Sequence, residues 1–319
     1  MIFELTENYA QHMAQDVVPY IEARRENETL TALDGTKLYT SFFTADGPKG
    51  TVLLLHGFTE NIEKFSEVIY GFLKEGYSVA TLDQRGHGRS GRTEGVKSLD
   101  VTHVGRFDDY LTDVELVYDR WMKDAKAPRI LFGHSMGGAV SILTLERGML
   151  SFDKAILTSP MVAPSTGGFP AWTGAAICRG AILLGKAKER IFLSKPYTGD
   201  EKFEDSCAKS RERFDWYDEM KRTTPVFQNS SPSYRWTLES MKVCGRILAK
   251  GVPEKVSIPV LIFQASEDYT VEGKPQELLA SRLPKGTLKR IENARHEIYR
   301  SEDAVCNEWW DDITAFLNQ

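Results

Sequence analysis

Ser135 stands in FGHSMGGAV (residues 132–140), with Gly133 two residues before it and Gly137 two after. A nucleophilic serine held at a sharp strand-to-helix turn needs this spacing. The turn drives its central residue towards positive φ, where side chains on the neighbouring turns would collide, so both flanking positions must be small. RILF (129–132) reads as the strand ahead of the turn and AVSILTLERG (139–148) as the apolar segment after it. GHSMG is therefore read as a nucleophile elbow, which lifts the serine oxygen above a sheet at the positive end of the following helix. Gly138, next in line, lets that helix pack close.

A neutral serine needs a base, and a base that keeps its orientation needs a buried acid. With an elbow serine the expected chain order is Ser, then Asp or Glu, then His, the last two on loops after later strands. His296, in IENARHEIY after the run TLKRI, is the only histidine that follows Ser135. QASEDYTV, after VLIF, offers two acids, Glu267 and Asp268. Asp268 is preferred because its spacing to Val271 lets that valine anchor the loop, while Glu267 is expected to face solvent; Glu267 remains the alternative. The oxyanion of an attacked carbonyl needs two preorganised N–H donors. Met136, after the nucleophile, supplies one; Phe58 of HGFT, after the run TVLLL, supplies the other, with Gly57 letting the backbone approach the substrate. His56, His87, His103 and His134 read as structural hydrogen-bonders, and no pair has metal-ligand spacing such as HExxH.

The elements that must position these residues are legible as alternation. ETLTALDG and KLYTSFFT, with Gly35 between them, read as an opening hairpin. TVLLLHG (51–57), SVATLD (78–83), RILFG (129–133), KAILTS (154–159), IPVLIFQAS (258–266) and TLKRIEN (287–293) read as strands. IEKFSEVIYGFLKEG, DDYLTDVELVYDRWMKD and the segment after Ser135 carry helix-period apolar positions. The fold class is thus α/β, a mostly parallel central sheet with helices on both faces. From 160 to 252 the alternation lapses, so residues 1–159 and 253–319 are expected to form the core and 160–252 an inserted, mainly helical cap.

Composition bounds the rest. A chain of 319 residues, 41% hydrophobic and 27% charged, can bury a large core. The start, MIFELTENYAQHMAQDVVPY, has no basic region followed by an uninterrupted apolar one, which reads against a signal peptide and for a cytoplasmic protein. Cys178, Cys207, Cys244 and Cys306 are far apart and form no CxxC, as reduced core thiols would be. A net charge of −5 and a pI near 5.8 argue against general affinity for nucleic acid. Between residues 160 and 250 there are 15 Lys or Arg against 10 Asp or Glu. A basic cap fits phosphate head groups or an anionic membrane face, and a solvated helix surface accounts for it as well. FPAWTGAAICRGAILLG (169–185) is mostly apolar yet too short to span a bilayer; lining an acyl pocket, touching lipid and ordinary packing all stay open. Trp309, Ile313 and Phe316, at helical spacing, read as core.

LLLHGFTE, LDQRGHGRSG, FDDYLTDV, LFGHSMGG, LTSPM, IPVLIFQASED and RHEIYRSED together resemble the α/β-hydrolases of the monoacylglycerol lipase and bacterial lysophospholipase group. The resemblance runs from about residue 28 to the C-terminus, and PSYRWTLES and FDWYDEM tilt it towards the lysophospholipase branch. It implies hydrolysis of a single-chain lipid ester, with Ser135, Asp268 and His296 as triad, Phe58 and Met136 as oxyanion donors, and no cofactor or metal. On the same ground Phe169, Trp172, Tyr234 and Trp236 are candidate walls of a substrate pocket, and peripheral contact of the cap with the inner membrane face is an option. One departure is ENARHE, where such proteins often have a glycine before the histidine. A small-ester or aromatic-acid carboxylesterase is the alternative; an aminopeptidase, whose substrate amine would favour an acidic cap, or a non-catalytic binder stand further off.

Overall fold

The computed structural model describes residue 3, residues 8–165 and residues 171–319. Eight strands form one sheet: β1 (Arg25–Thr31), β2 (Lys37–Phe43), β3 (Gly50–Leu55), β4 (Tyr77–Leu82), β5 (Arg129–His134), β6 (Lys154–Thr158), β7 (Val260–Ala265) and β8 (Gly286–Ile291). Their spatial order is β1-β2-β4-β3-β5-β6-β7-β8. β2 pairs antiparallel with both β1 and β4, and every other pairing is parallel. The hairpin register, Thr31 opposite Lys37, is closed by a turn with Gly35 at φ 84°.

All six positions of β3, β4 and β7 are buried, which explains why they read as continuous apolar runs: a parallel strand covered on both faces has no polar side. Alternate residues divide between two cores. Leu53, Leu131 and Leu157 face α2 (Asp108–Val117), α3 (Met136–Arg147) and α7 (Gly273–Arg282), whereas Val52, Leu54, Ile130 and Phe132 face α1 (Ser66–Lys74) and α8 (Asp303–Leu317). Trp309, Ile313 and Phe316 of α8 are buried in the second core. The sheet is the doubly covered α/β arrangement expected from the sequence.

Residues 9–22, for which no element is read from the sequence, are helical with a wider turn at Met13–Val17. Pro19 lies inside this continuous stretch, just after the wider turn, and has no N–H to donate back to the preceding turn. Between β6 and β7 the chain forms α4 (Ala171–Leu183), α5 (Arg211–Thr223) and α6 (Tyr234–Ile247). Ser210 and Ser233 start α5 and α6 by accepting the N–H groups of Arg213 and Trp236. One face of α6, with Trp236, Val243 and Ile247, joins the core; Tyr234 and Leu238 pack with Cys178 of α4. This stretch does contain a short strand: Ser231–Pro232 pairs with Val101–Thr102, tying it to the loop after β4. Two residues are too few for a sequence pattern to reveal.

Among the described residues no helix is long and apolar enough to cross a membrane, and no group of three or more His, Cys, Asp or Glu is placed to hold a metal ion. The four cysteines are unpaired.

Candidate active site

β5 runs straight into α3, and Ser135 takes the turn between them at φ 49°, ψ −114°. That backbone is strained for a residue with a side chain, and the surroundings fix it: the Ser135 N–H donates to the Thr158 carbonyl, and its own carbonyl accepts from Gly138, Ala139 and Met161. A Cβ on Gly137 would run into the Leu55 carbonyl oxygen, and one on Gly138 would come within 2.7 Å of Pro160. The elbow therefore needs glycine for close approach of strand and helix. Its product is a serine hydroxyl at the N-terminus of α3.

His296 Nε2 lies 2.9 Å from Ser135 Oγ, and His296 Nδ1 lies 2.7 Å from Asp268 Oδ2. Asp268 Oδ1 accepts the N–H groups of Thr270 (2.8 Å) and Val271 (3.1 Å), so the valine does anchor the loop through its backbone. Burial by itself would raise the Asp268 carboxyl pKa; the hydrogen bond and charge of His296, with those two N–H groups, override it and hold the group below its usual value. An ionised Asp268 accepts a hydrogen bond from the Nδ1–H, leaving Nε2 free to accept from the serine. Glu267 instead points outwards to Lys209, 2.5 Å away. In the loop before the histidine, Asn293 takes φ 56°, a left-handed conformation that asparagine tolerates.

Phe58 and Met136 flank this series, one after β3 and one at the start of α3. Among the described residues neither backbone N–H has an acceptor, as two donors kept for a substrate oxygen would require. The Phe58 ring packs at 4.1 Å (centroids) on Trp236, whose indole N–H donates to the Tyr110 hydroxyl. Tyr234 lies in the small α4–α6 cluster, Trp172 is 71% exposed, and Phe169 falls outside the described residues. The four remaining candidate-loop histidines are structural bonders: His56 spans Gln84 N–H and the Gly57 carbonyl, His87 bonds the Arg85 carbonyl, His103 bonds Ser233, and His134 bonds the Thr158 carbonyl. Burial depresses all four pKa values, to about 4 for His103 and His134, which leaves them neutral at pH 7.

Sequence reasoning passed over a group of ionised residues beside these loops. Glu297 follows His296 and accepts from Lys64 and Arg300, each at 2.6 Å; Glu60 follows HGFT and lies 3.3 Å from Lys64. Burial would raise the Glu297 pKa, and the two cations bring it far below the carboxylate range instead. A charge directly after each motif, in HGFTE and RHE, was the available signal.

Residues 46–303, from just before β3 to the start of α8, match the family described as serine aminopeptidase, S33. The chain belongs to this S33 family. Its relatives include the probable lysophospholipase L2 of Haemophilus influenzae, 28% identical over 84% of this chain and 83% of that protein. The lysophospholipase L2 of Escherichia coli is 26% identical over 93% and 88%, and the monoglyceride lipase of Mus musculus 25% over 91% and 89%. Among solved structures, a soluble variant of monoglyceride lipase from Saccharomyces cerevisiae superposes with a TM-score of 0.72, at 21% identity, over 92% of this chain and 96% of that one. A carboxyl esterase from Bacillus coagulans gives 0.70 at 21% identity over 92% and 98%. This S33 member thus has the α/β-hydrolase fold.

Proposed function

We propose that the protein is a serine hydrolase that cleaves carboxylic esters of single-chain lipids, a lysophospholipid or a monoacylglycerol, through an acyl-serine intermediate. The observation that carries the reading is the hydrogen-bonded series Asp268–His296–Ser135 ending at a strained elbow. In the first step His296 Nε2 takes the Ser135 proton as Oγ attacks the ester carbonyl, and Asp268 stabilises the imidazolium. The N–H groups of Phe58 and Met136, with the N-terminus of α3, receive the oxyanion. The imidazolium protonates the leaving alcohol, and water activated by the same histidine releases the acid.

Residues 160–252 act as the cap, and Trp236, against Phe58, is the candidate pocket wall with a contact to the oxyanion loop. The lipid assignment is supported by the relatives' activities and by the apolar side chains of the cap. The S33 family description also raises a peptide substrate. A free amine needs an uncommitted anion; the buried carboxylates beside the triad loops, Glu60 and Glu297, already have Lys64 and Arg300. Peripheral attachment to the cytoplasmic membrane face, through the exposed side of α4, completes the reading. The test is Ser135→Ala: it folds like wild type, as far-UV and near-UV circular dichroism read, but loses hydrolysis of monoacylglycerol and lysophosphatidylcholine and all labelling by a fluorophosphonate. Turnover unchanged in the alanine variant would end the reading.

A further inference from the structure

Four charged side chains next to the triad have no step in the acyl-transfer chemistry. Glu60 is 2% exposed, in the loop after β3. Its Oε2 accepts the Gly57 N–H at 2.5 Å and its Oε1 the Tyr299 O–H at 2.6 Å. Lys64, 3.3 Å from Glu60, is 2.6 Å from Glu297, which Arg300 holds from the other side. One ammonium group thus joins the loop of Gly57 and Phe58 to the loop of His296. Burying such charges costs several kcal/mol per ion before pairing, and apolar side chains would stabilise the same volume as well. The network's gain must lie in position.

The detail at Gly57 shows what is positioned. Its N–H is held by Glu60, and its carbonyl accepts the Nδ1–H of His56, whose Nε2 in turn accepts the Gln84 N–H and so fixes the tautomer. Glu60 thus holds the His56–Gly57 peptide through the Gly57 N–H, and His56 holds the Gly57–Phe58 peptide through the Gly57 carbonyl; with the planes on both sides fixed, φ and ψ of Gly57 are set and the Phe58 N–H has one direction. A Cβ at Gly57 would lie 2.7 Å from Glu60 Oε2 and 3.1 Å from Ser135 Cβ, so the clamp and the nucleophile meet at this residue. Resting on the serine-hydrolase reading above, we propose that Glu60 is a positioning residue: it aims the Phe58 oxyanion donor and, through Lys64 and Glu297, sets donor loop and base loop as one unit.

The test compares wild type with Glu60→Ala, Glu60→Gln and Glu60→Asp on a soluble p-nitrophenyl ester, with the folded fraction read by near-UV circular dichroism. Misplacing a donor by about 1 Å costs up to roughly 100-fold, and losing one outright costs about 100- to 1000-fold. Glu60→Ala is therefore expected to lower kcat about 10- to 100-fold with KM within about twofold, the mark of an interaction made in the transition state. Glu60→Gln keeps an oxygen for the Gly57 N–H and recovers about tenfold of that loss. A kcat equal to wild type in folded Glu60→Ala, or a loss confined to KM, overturns the proposal. If the alanine variant does not fold, the order of the other two decides: Gln above Asp in kcat supports reach to Gly57, and Asp above Gln, where charge survives and reach does not, overturns it. Wild-type protein that neither turns over the ester nor takes a fluorophosphonate would remove the parent reading first, and with it this one.

Discussion

Asp268 and Glu267 are neighbours in the chain with opposite surroundings. Asp268 is enclosed by His296 and two backbone N–H groups, and Glu267 is half exposed beside Lys209. Replacing Asp268 by Asn reverses the donor at Nδ1 and favours the wrong tautomer, which costs about 10⁴-fold in kcat in triads of this design. Asp268→Asn is accordingly expected to lose several orders of magnitude in ester turnover, and Glu267→Gln to stay within about twofold of wild type, as an exposed pair contributes little. Steady-state kinetics on one ester checks both, and swapped results would contradict the assignment. At this scale the hydrogen-bonded series proposed as the triad was legible because each member sits in a motif with few competitors: a single histidine follows Ser135. Glu60, Lys64 and Glu297 were not, since charges at the ends of apolar runs ordinarily mark a solvated face. Only the fold reveals that all three are buried.

Among the elements, α4 has two unlike sides. Cys178 is buried against Tyr234 and Leu238 of α6, while Trp172 and Ile177, and Leu183 and Leu184 at its end, are exposed, the last two by 88% and 77%. Arg179, Lys186 and Lys195 are exposed nearby in the chain. An apolar edge bordered by cations is suited to an anionic lipid surface, where each leucine gains roughly 1.5–3 kcal/mol on burial. Leu183→Ser with Leu184→Ser should weaken cosedimentation with phosphatidylglycerol-containing vesicles at least tenfold, and undiminished binding would exclude this edge as the contact. The strands were readable because both their faces are covered. The helical residues 9–22 were not, because Pro19 interrupts the pattern and the wider turn at Met13–Val17 shifts the period of the buried positions.

At the scale of the molecule, a doubly covered sheet holds three loops, after β3, after β7 and after β8, around the elbow between β5 and α3, and the helical insertion after β6 packs over it through α6 and Trp236. Alternation in the sequence was sufficient for the sheet. The docking of the insertion rests on long-range contacts, such as Trp236 on Phe58 and Ser231–Pro232 on Val101–Thr102, which leave no local pattern. If this enclosure accepts one acyl chain, each methylene buried from water is worth about 0.8 kcal/mol, or roughly fourfold, wherever the benefit reaches the transition state. The direct measurement is kcat/KM for p-nitrophenyl esters from acetate to octanoate, each below its critical micelle concentration. The account predicts a climb over several carbons before the pocket fills. A maximum at acetate with steady decline towards octanoate would contradict it and put a small-ester hydrolase in its place.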